Sequence, residues 1–134
     1  MADIRSVTPD FAVAPQLLPD DLTEAARRGF KLVINNRPDG EAPGQPTSEL
    51  MKRAAEAAGL DYLHVPVQGG PTGEQVDAVR RAVEGAEGPV LAFCRSGTRS
   101  IITWSIGQAQ SGVRRGDLIN LGREAGYDLS GALG

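Results

Sequence analysis

The sequence predicts an α/β fold: a central, mainly parallel sheet of four to five strands flanked by helices, in a single domain spanning residues 1–134. Two observations carry this. Apolar runs of strand length recur at residues 11–14, 31–35, 62–67 and 90–93, and each is followed by a stretch with helical spacing of its apolar residues. Glycines and turn residues punctuate the joins. Such alternation is the pattern of parallel strands linked by crossover helices, with both sheet faces covered.

Phe11 to Ala14 reads as the first strand, and Pro15 to Asp20 as a turn. Asp20 or Asp21 is a candidate cap for a helix running to Arg28, with Leu22, Ala25 and Ala26 inward and Gly29 at its end. Lys31 to Asn35 is the second strand, and Asn36 to Glu41 a loop rich in turn chemistry. Thr47 or Ser48 caps the next helix, with Leu50, Met51, Ala54 and Ala58 inward; Gly59 stops it. Tyr62 to Val67 is extended, and Gln68 to Pro71 is a connection. Thr72-Gly73-Glu74-Gln75 has capping-box spacing ahead of a helix with Val76, Val79 and Val83 on one face. Val90 to Phe93 is the fourth strand, followed by a helix from about Thr98 to Gln110, a break at Gly112 and a last helix near 115–125. Tyr127 to Leu129 reads as a tail.

The composition narrows the function classes. The 134 residues suffice for one real core, and 40% hydrophobic with 23% charged content is ordinary globular usage. The net charge is -3, from 14 basic and 17 acidic side chains, which gives no reason to expect a nucleic-acid partner. One cysteine and one histidine argue against a zinc site, and no dinucleotide or Walker-type motif calls for a cofactor. No apolar stretch reaches membrane-spanning length and no signal peptide is evident, so a cytoplasmic location with no membrane association is expected.

The most informative stretch is Phe93-Cys94-Arg95-Ser96-Gly97-Thr98-Arg99-Ser100. A strand, a short polar loop and a helix start form a recipe for binding an anion, because loop amides and the first helical turn can all point inward. A cysteine opening such a loop is expected to be held as thiolate and to act as nucleophile. Arg99 would clamp the bound group with its planar fork, and Arg95 would add positive potential. Ser96, Thr98 and Ser100 are candidate substrate-binding or capping hydroxyls, and Gly97 fits a backbone position that excludes Cβ. Loops 36–46, 68–71 and 94–99 all follow strands, so they should crowd one sheet edge, where ligands of such sheets sit. Arg37 is expected near the site. Asp39 reads equally as a turn residue or as a partner for an arginine, and Glu41 is a further carboxylate on that loop. His64, in the middle of an extended run, reads as structural.

With these residues in view, Asn35 to Glu41 and Phe93 to Ser100 resemble the signatures of a bacterial domain family of DUF442 type, described as beta-lactamase-hydrolase-like or phosphatase-like and also labelled sulfur transferase. The resemblance runs from Ile4 to about Leu129 and includes the Gly126 to Ser130 ending. It implies a fold similar to dual-specificity protein tyrosine phosphatases. In those enzymes the cysteine and the loop arginine are separated by five residues, and an aspartate protonates the leaving oxygen. Here four residues separate Cys94 from Arg99, Ser100 stands at the phosphatase arginine position, and Gln68-Gly69-Gly70 occupies the region of the acid. Asp39 or Asp77 would have to replace it.

The shorter loop resembles the Cys-Arg-Ser-Gly-x-Arg-Ser run of single-domain rhodaneses. Sulfurtransferase chemistry through a Cys94 persulfide is therefore the expected function, with a cysteine-dependent phosphatase as the alternative. The resemblance further implies a small sulfur-containing anion or a low-molecular-weight thiol as reaction partner. It also implies a persulfide-oxidising or sulfide-handling enzyme as protein partner, in sulfide detoxification.

Overall fold

In the computed structural model, which describes residues 2–133, the chain runs β1 (Arg5–Thr8), β2 (Phe11–Ala14), α1 (Pro19–Arg27), β3 (Leu32–Asn35), α2 (Ser48–Ala57), β4 (Asp61–His64), α3 (Gly73–Gly85), β5 (Val90–Phe93), α4 (Thr98–Gln110) and α5 (Arg115–Glu124). The five strands form one sheet in the order β1-β2-β5-β3-β4. Strands β2, β5, β3 and β4 are mutually parallel, and β1 joins β2 as an antiparallel hairpin. The α/β class and the mainly parallel sheet are those the sequence predicts. Strand β1 was not foreseen: Arg5-Ser6-Val7-Thr8 carries a single strongly apolar residue, Val7, because this edge strand buries little else.

Side chains alternate between the two faces along each inner strand. Val13, Ile34 and Ala92 join the layer of α3, α4 and α5, with Val79, Ile101, Trp104 and Leu118. Ala14, Val33, Leu91 and Phe93 join the layer of α1 and α2, with Leu22, Met51 and Ala55. Both faces are therefore buried, which is why these strands read as continuous apolar runs. Phe11 and Trp104 stack with ring centroids 4.8 Å apart and tie α4 to β2.

The caps refine the expected helix ends. Helix α1 begins at Pro19, where a missing N–H costs nothing, and Asp21 reaches back to accept from the Leu18 N–H at 2.7 Å. Thr47 caps α2 by accepting from the Leu50 N–H, but Leu50 itself is 48% exposed rather than inward. Met51 and Ala55, one helical turn apart, take the inner stripe, which turns Leu50 outward. The capping box of α3 forms as expected: Thr72 Oγ1 accepts from the Gln75 N–H and Gln75 Oε1 from the Thr72 N–H. Strand β4 ends at His64, short of the expected Val67. The pairing nonetheless continues irregularly past Pro66, since Val65 N–H donates to Asn35 O and Val67 N–H to Asn36 O. No helix among the described residues is long and apolar enough to cross a membrane.

Candidate active site

Strand β5 lies at the centre of the sheet, between β2 and β3, so its carboxyl end is walled by the loops that leave those neighbours and β4. Cys94 is the first residue beyond it and is fully buried. Its surroundings are polar: the Gly97 N–H donates to Cys94 Sγ at 3.1 Å. Gly97 has φ +90° and is the N-cap of α4, so the chain doubles back under the sulfur before the helix begins. Only glycine adopts that conformation without strain. The amides of Arg99 and Ser100, in the first helical turn, have no protein acceptor among the described residues. They are free to meet an anion.

Arg99 rises from that turn, and its guanidinium is held from one side. Nη1 donates to Glu41 Oε2 and Nη2 to Glu41 Oε1, both at 2.8 Å, and Nη1 also donates to the Val67 carbonyl at 2.8 Å. Three of the five N–H donors are thereby occupied. The two left over, on Nε and Nη2, form the side-on fork, which suits bidentate capture of an oxyanion. The Arg99 pKa is raised, first by the hydrogen bonds to Glu41.

Glu41 is shared. Arg37 Nε donates to its Oε1 at 2.9 Å, and Arg37 Nη1 donates to Gln16 Oε1 at 3.0 Å. The bonds from Arg99, then those from Arg37, pull the Glu41 pKa down to about 2. Two guanidinia against one carboxylate leave a net positive charge on the wall of the site before Arg95 is counted. Arg37 is 5% exposed, and its backbone is pinned by Asn35 Oδ1 at its N–H and by His64 at its carbonyl. A carbonyl can only accept, so His64 carries its proton on Nε2 in this contact, at 2.8 Å. Through this contact the histidine braces the loop that carries Arg37.

The remaining predicted residues divide. Asp39 Oδ1 accepts from the Ser48 N–H at 2.8 Å and so braces the start of α2, and among the described residues it pairs with no arginine. Asp77 pairs with Arg80 and Arg81 on its own helix, so it is not poised as an acid. Arg95 is exposed at the loop rim, and its carbonyl accepts from the Gln16 N–H at 3.3 Å. Ser96 Oγ donates to Thr98 Oγ1 and accepts from the Thr98 N–H, which braces the loop from outside. Ser100 Oγ is buried with no partner, so capping does not explain it. Glu41 takes the arginine-orienting part that was weighed for Asp39.

Three contributors were not foreseen. Gln16 links the loop after β2 to both Arg37 and the cysteine loop. Asn36, fully buried, donates from Nδ2 to Val65 O at 2.9 Å and so joins the loops after β3 and β4. Tyr127, from the segment after α5, donates its hydroxyl to Ser96 O at 2.8 Å. Asn36 and Tyr127 lie in stretches that carry the family resemblance, but nothing local assigns any of the three a role, because each acts through a contact distant in sequence. Beside the arginine, a cleft of about 400 Å³ is lined by Pro38, Pro66, Gln68, Gly70, Thr72 and Gln75, none of them charged.

Residues 3–111 match the family described as beta-lactamase hydrolase-like protein, phosphatase-like domain. A beta-lactamase hydrolase-like protein of Agrobacterium fabrum is 42% identical over 125 residues, covering 91% of this chain and 29% of that protein. The chain thus spans under a third of the length of the curated relatives it matches. A crystal structure from Neisseria meningitidis, described as a candidate phosphatase, superposes with a TM-score of 0.85 at 33% identity, covering 96% of this chain and 92% of that one. The active form of Tk-PTP superposes with a TM-score of 0.74 at 23% identity, covering 95% and 87% of the two chains, a likeness of fold alone. The fold is of the protein-tyrosine and dual-specificity phosphatase type.

Proposed function

Since the chain belongs to the family of beta-lactamase hydrolase-like proteins, phosphatase-like domain, we propose that it is a cysteine-dependent group-transfer enzyme in which Cys94 attacks an anionic substrate and takes from it a sulfane sulfur. Family and fold support the coarser part, a phosphatase-like cysteine enzyme. One observation supports the finer part: the anion cradle has an arginine fixed by Glu41 and, among the described residues, no carboxylic acid placed to protonate a leaving group. Glu41, with its pKa at about 2, is ionised throughout the working range. Asp39 is committed to α2, and Gln68-Gly69-Gly70 follows β4 where an acid would stand.

An alkoxide leaving group expelled without a proton forfeits about 10²- to 10⁴-fold in rate. Sulfane transfer escapes that loss. With thiosulfate, the Cys94 thiolate forms a bond to the outer sulfur, the S–S bond to the sulfonate sulfur breaks, and sulfite leaves with the electron pair. The product Cys94 persulfide carries a terminal sulfur smaller than a phosphoryl group, suited to a loop with four residues between Cys94 and Arg99. A thiolate acceptor then attacks that terminal sulfur and releases the Cys94 thiolate, so no net oxidant is needed. The uncharged cleft beside Val67 would house the organic part of a low-molecular-weight thiol. Service to a persulfide-oxidising or sulfide-handling enzyme in the cytoplasm belongs to the same proposal.

Phosphoryl transfer is the second reading, and the comparisons lean towards it: the family description and the Neisseria neighbour both carry the phosphatase name. In that reading Cys94 would attack phosphorus, and the substrate would carry a leaving group stable without protonation, such as an aryl oxide. Intact-mass analysis separates the two. Incubation with thiosulfate or glutathione persulfide is expected to add about 32 Da at Cys94, as persulfidation requires, and Cys94→Ser to abolish it. Absence of an adduct with every sulfane donor, alongside clear turnover of phosphoesters, would reverse the order.

A further inference from the structure

We propose that Tyr127 is a positioning residue: its hydrogen bond to Ser96 O fixes the orientation of the Ser96–Gly97 peptide, and thereby aims the Gly97 N–H at the Cys94 sulfur.

The planarity of the peptide bond carries the inference. The Ser96 carbonyl and the Gly97 N–H belong to one rigid unit and point in opposite directions. On the outer side, Tyr127 Oη donates to Ser96 O at 2.8 Å. On the inner side, the Gly97 N–H donates to Cys94 Sγ at 3.1 Å. Holding one end therefore holds the other. If the unit turned over, the carbonyl oxygen would face the thiolate, and an attraction would become a repulsion.

Glycine makes this fastening necessary. A residue with a side chain restricts φ and so limits which way the adjoining peptide can turn; glycine populates both signs of φ about equally. The site needs glycine at 97, at φ +90°, because an added Cβ would lie 2.2 Å from Tyr127 Oη and 3.4 Å from the backbone of Ala14. The same freedom leaves the peptide free to flip. The tyrosine hydroxyl supplies the preference that the backbone lacks.

Tyr127 is itself held from several directions. Its N–H donates to Gly122 O at 2.8 Å, and Gly126, at φ +96°, makes the turn that brings it back from α5. Arg5 lies 5.3 Å over its ring and is steadied by Asp3 and by the Ala125 carbonyl. Burial raises the phenol pKa above its usual value, opposed by Arg5 and reinforced by the charge of Cys94. The hydroxyl therefore remains a donor across the neutral range.

The proposal rests on Cys94 being the nucleophile, and not on which group Cys94 transfers. The test accordingly uses neither sulfane donor nor phosphoester. Iodoacetamide reacts with the thiolate, forming a C–S bond as iodide leaves, and the rate against pH reports how well the ionised sulfur is stabilised. In the full chain, Tyr127→Phe is expected to slow alkylation about tenfold near pH 7, the size expected for losing a hydrogen bond to a charged group. The gap should close at alkaline pH, where the thiol is ionised with or without that bond. Superimposable profiles, in a variant whose circular dichroism matches the parent, would overturn the proposal. The parent protein offers a check that does not depend on the variant folding. The Gly97 amide resonance should move across the same pH interval as the alkylation rate, and a Gly97 resonance blind to that interval would overturn the proposal as well.

Discussion

Glu41 accepts from both terminal nitrogens of Arg99 at 2.8 Å, so the arginine proposed to clamp the anion is already paired and aimed. A carboxylate beside an anion site would ordinarily repel the ligand. Here Arg37 offsets it, and the geometry leaves the side-on fork of Arg99 open. The pair trades some positive charge for a fixed direction.

That trade predicts how Arg99→Lys behaves. Lysine keeps the charge but has no planar fork to lock onto Glu41 and the Val67 carbonyl. Single-turnover transfer should slow by roughly 100-fold, the scale of an ångström-level misplacement of a reacting group. Thermal stability should change little, because exposed or half-exposed ion pairs contribute about 0–1 kcal/mol. A lysine variant with wild-type transfer would show that charge alone suffices.

Acid sensitivity follows from the same carboxylate. The folded-state pKa of Glu41, about 2, lies below its ordinary 4.5, so its contribution to stability is complete above the ordinary value. It is lost as pH falls from there towards the folded value, because the unfolded chain binds the proton first. Glu41→Gln should therefore lower stability at neutral pH and flatten the decline between about pH 4.5 and 2 relative to the parent. Urea titrations across that interval check this; parallel curves for the two proteins would contradict it.

Gly97→Ala meets two obstacles, a strained φ of +90° and a Cβ 2.2 Å from Tyr127 Oη. Left-handed backbone at a non-glycine residue costs on the order of 1–3 kcal/mol. The companion change Tyr127→Ala should recover the steric part but not the backbone part. Denaturant midpoints of the two single variants and the double variant measure the difference, and full recovery in the double variant would show that φ strain is absent.

Asn36 supports the site from beneath. Its Nδ2 satisfies the Val65 carbonyl, and its own backbone bridges Phe93 O and the Val67 N–H. Asn36→Ala leaves a buried carbonyl without its donor but also removes the buried Asn36 Oδ1, which has no partner, so the net loss should be about 1 kcal/mol. Loosening of Val67, whose carbonyl holds Arg99, should slow transfer as well. Calorimetry and single-turnover assays on one preparation would reveal whether the two losses occur together.

Ser100 points the other way. Its buried Oγ has no partner, and replacing an unsatisfied hydroxyl with a hydrogen atom removes a desolvation cost. Ser100→Ala should be neutral or stabilising by up to about 1 kcal/mol in thermal melts. Clear destabilisation would mean that the hydroxyl serves the resting fold.

The inner strands and the helices are legible because continuous apolar runs and the 3.6-residue period are local; β1, with Val7 as its one buried residue, leaves no such run. The cysteine loop was legible because Cys94, Gly97 and Arg99 are contiguous with a strand and a helix start. Glu41 could be placed on the right loop, but the choice between it and Asp39 depended on where α2 begins: Asp39 is drawn off by the Ser48 N–H. The burial of Leu50 and Met51 cannot be ranked from sequence, because two adjacent apolar residues are separated only by the helix phase. The roles of Gln16, Asn36 and Tyr127 are not legible because each acts through hydrogen bonds to residues distant in sequence, which leave no periodic trace.

The insertion of β5 between β2 and β3 bears on how the protein matures. Pairings such as Val13 with Ala92 close long stretches of chain, and they are expected to come late because their entropy must be met before any contact rewards it. A nascent or partly collapsed chain can hold helices and the β3–β4 pair while the sulfur still lacks its bowl. Thiol chemistry should therefore switch on only with the last strand, so recovery of transfer during refolding becomes a clock for completion of the native sheet.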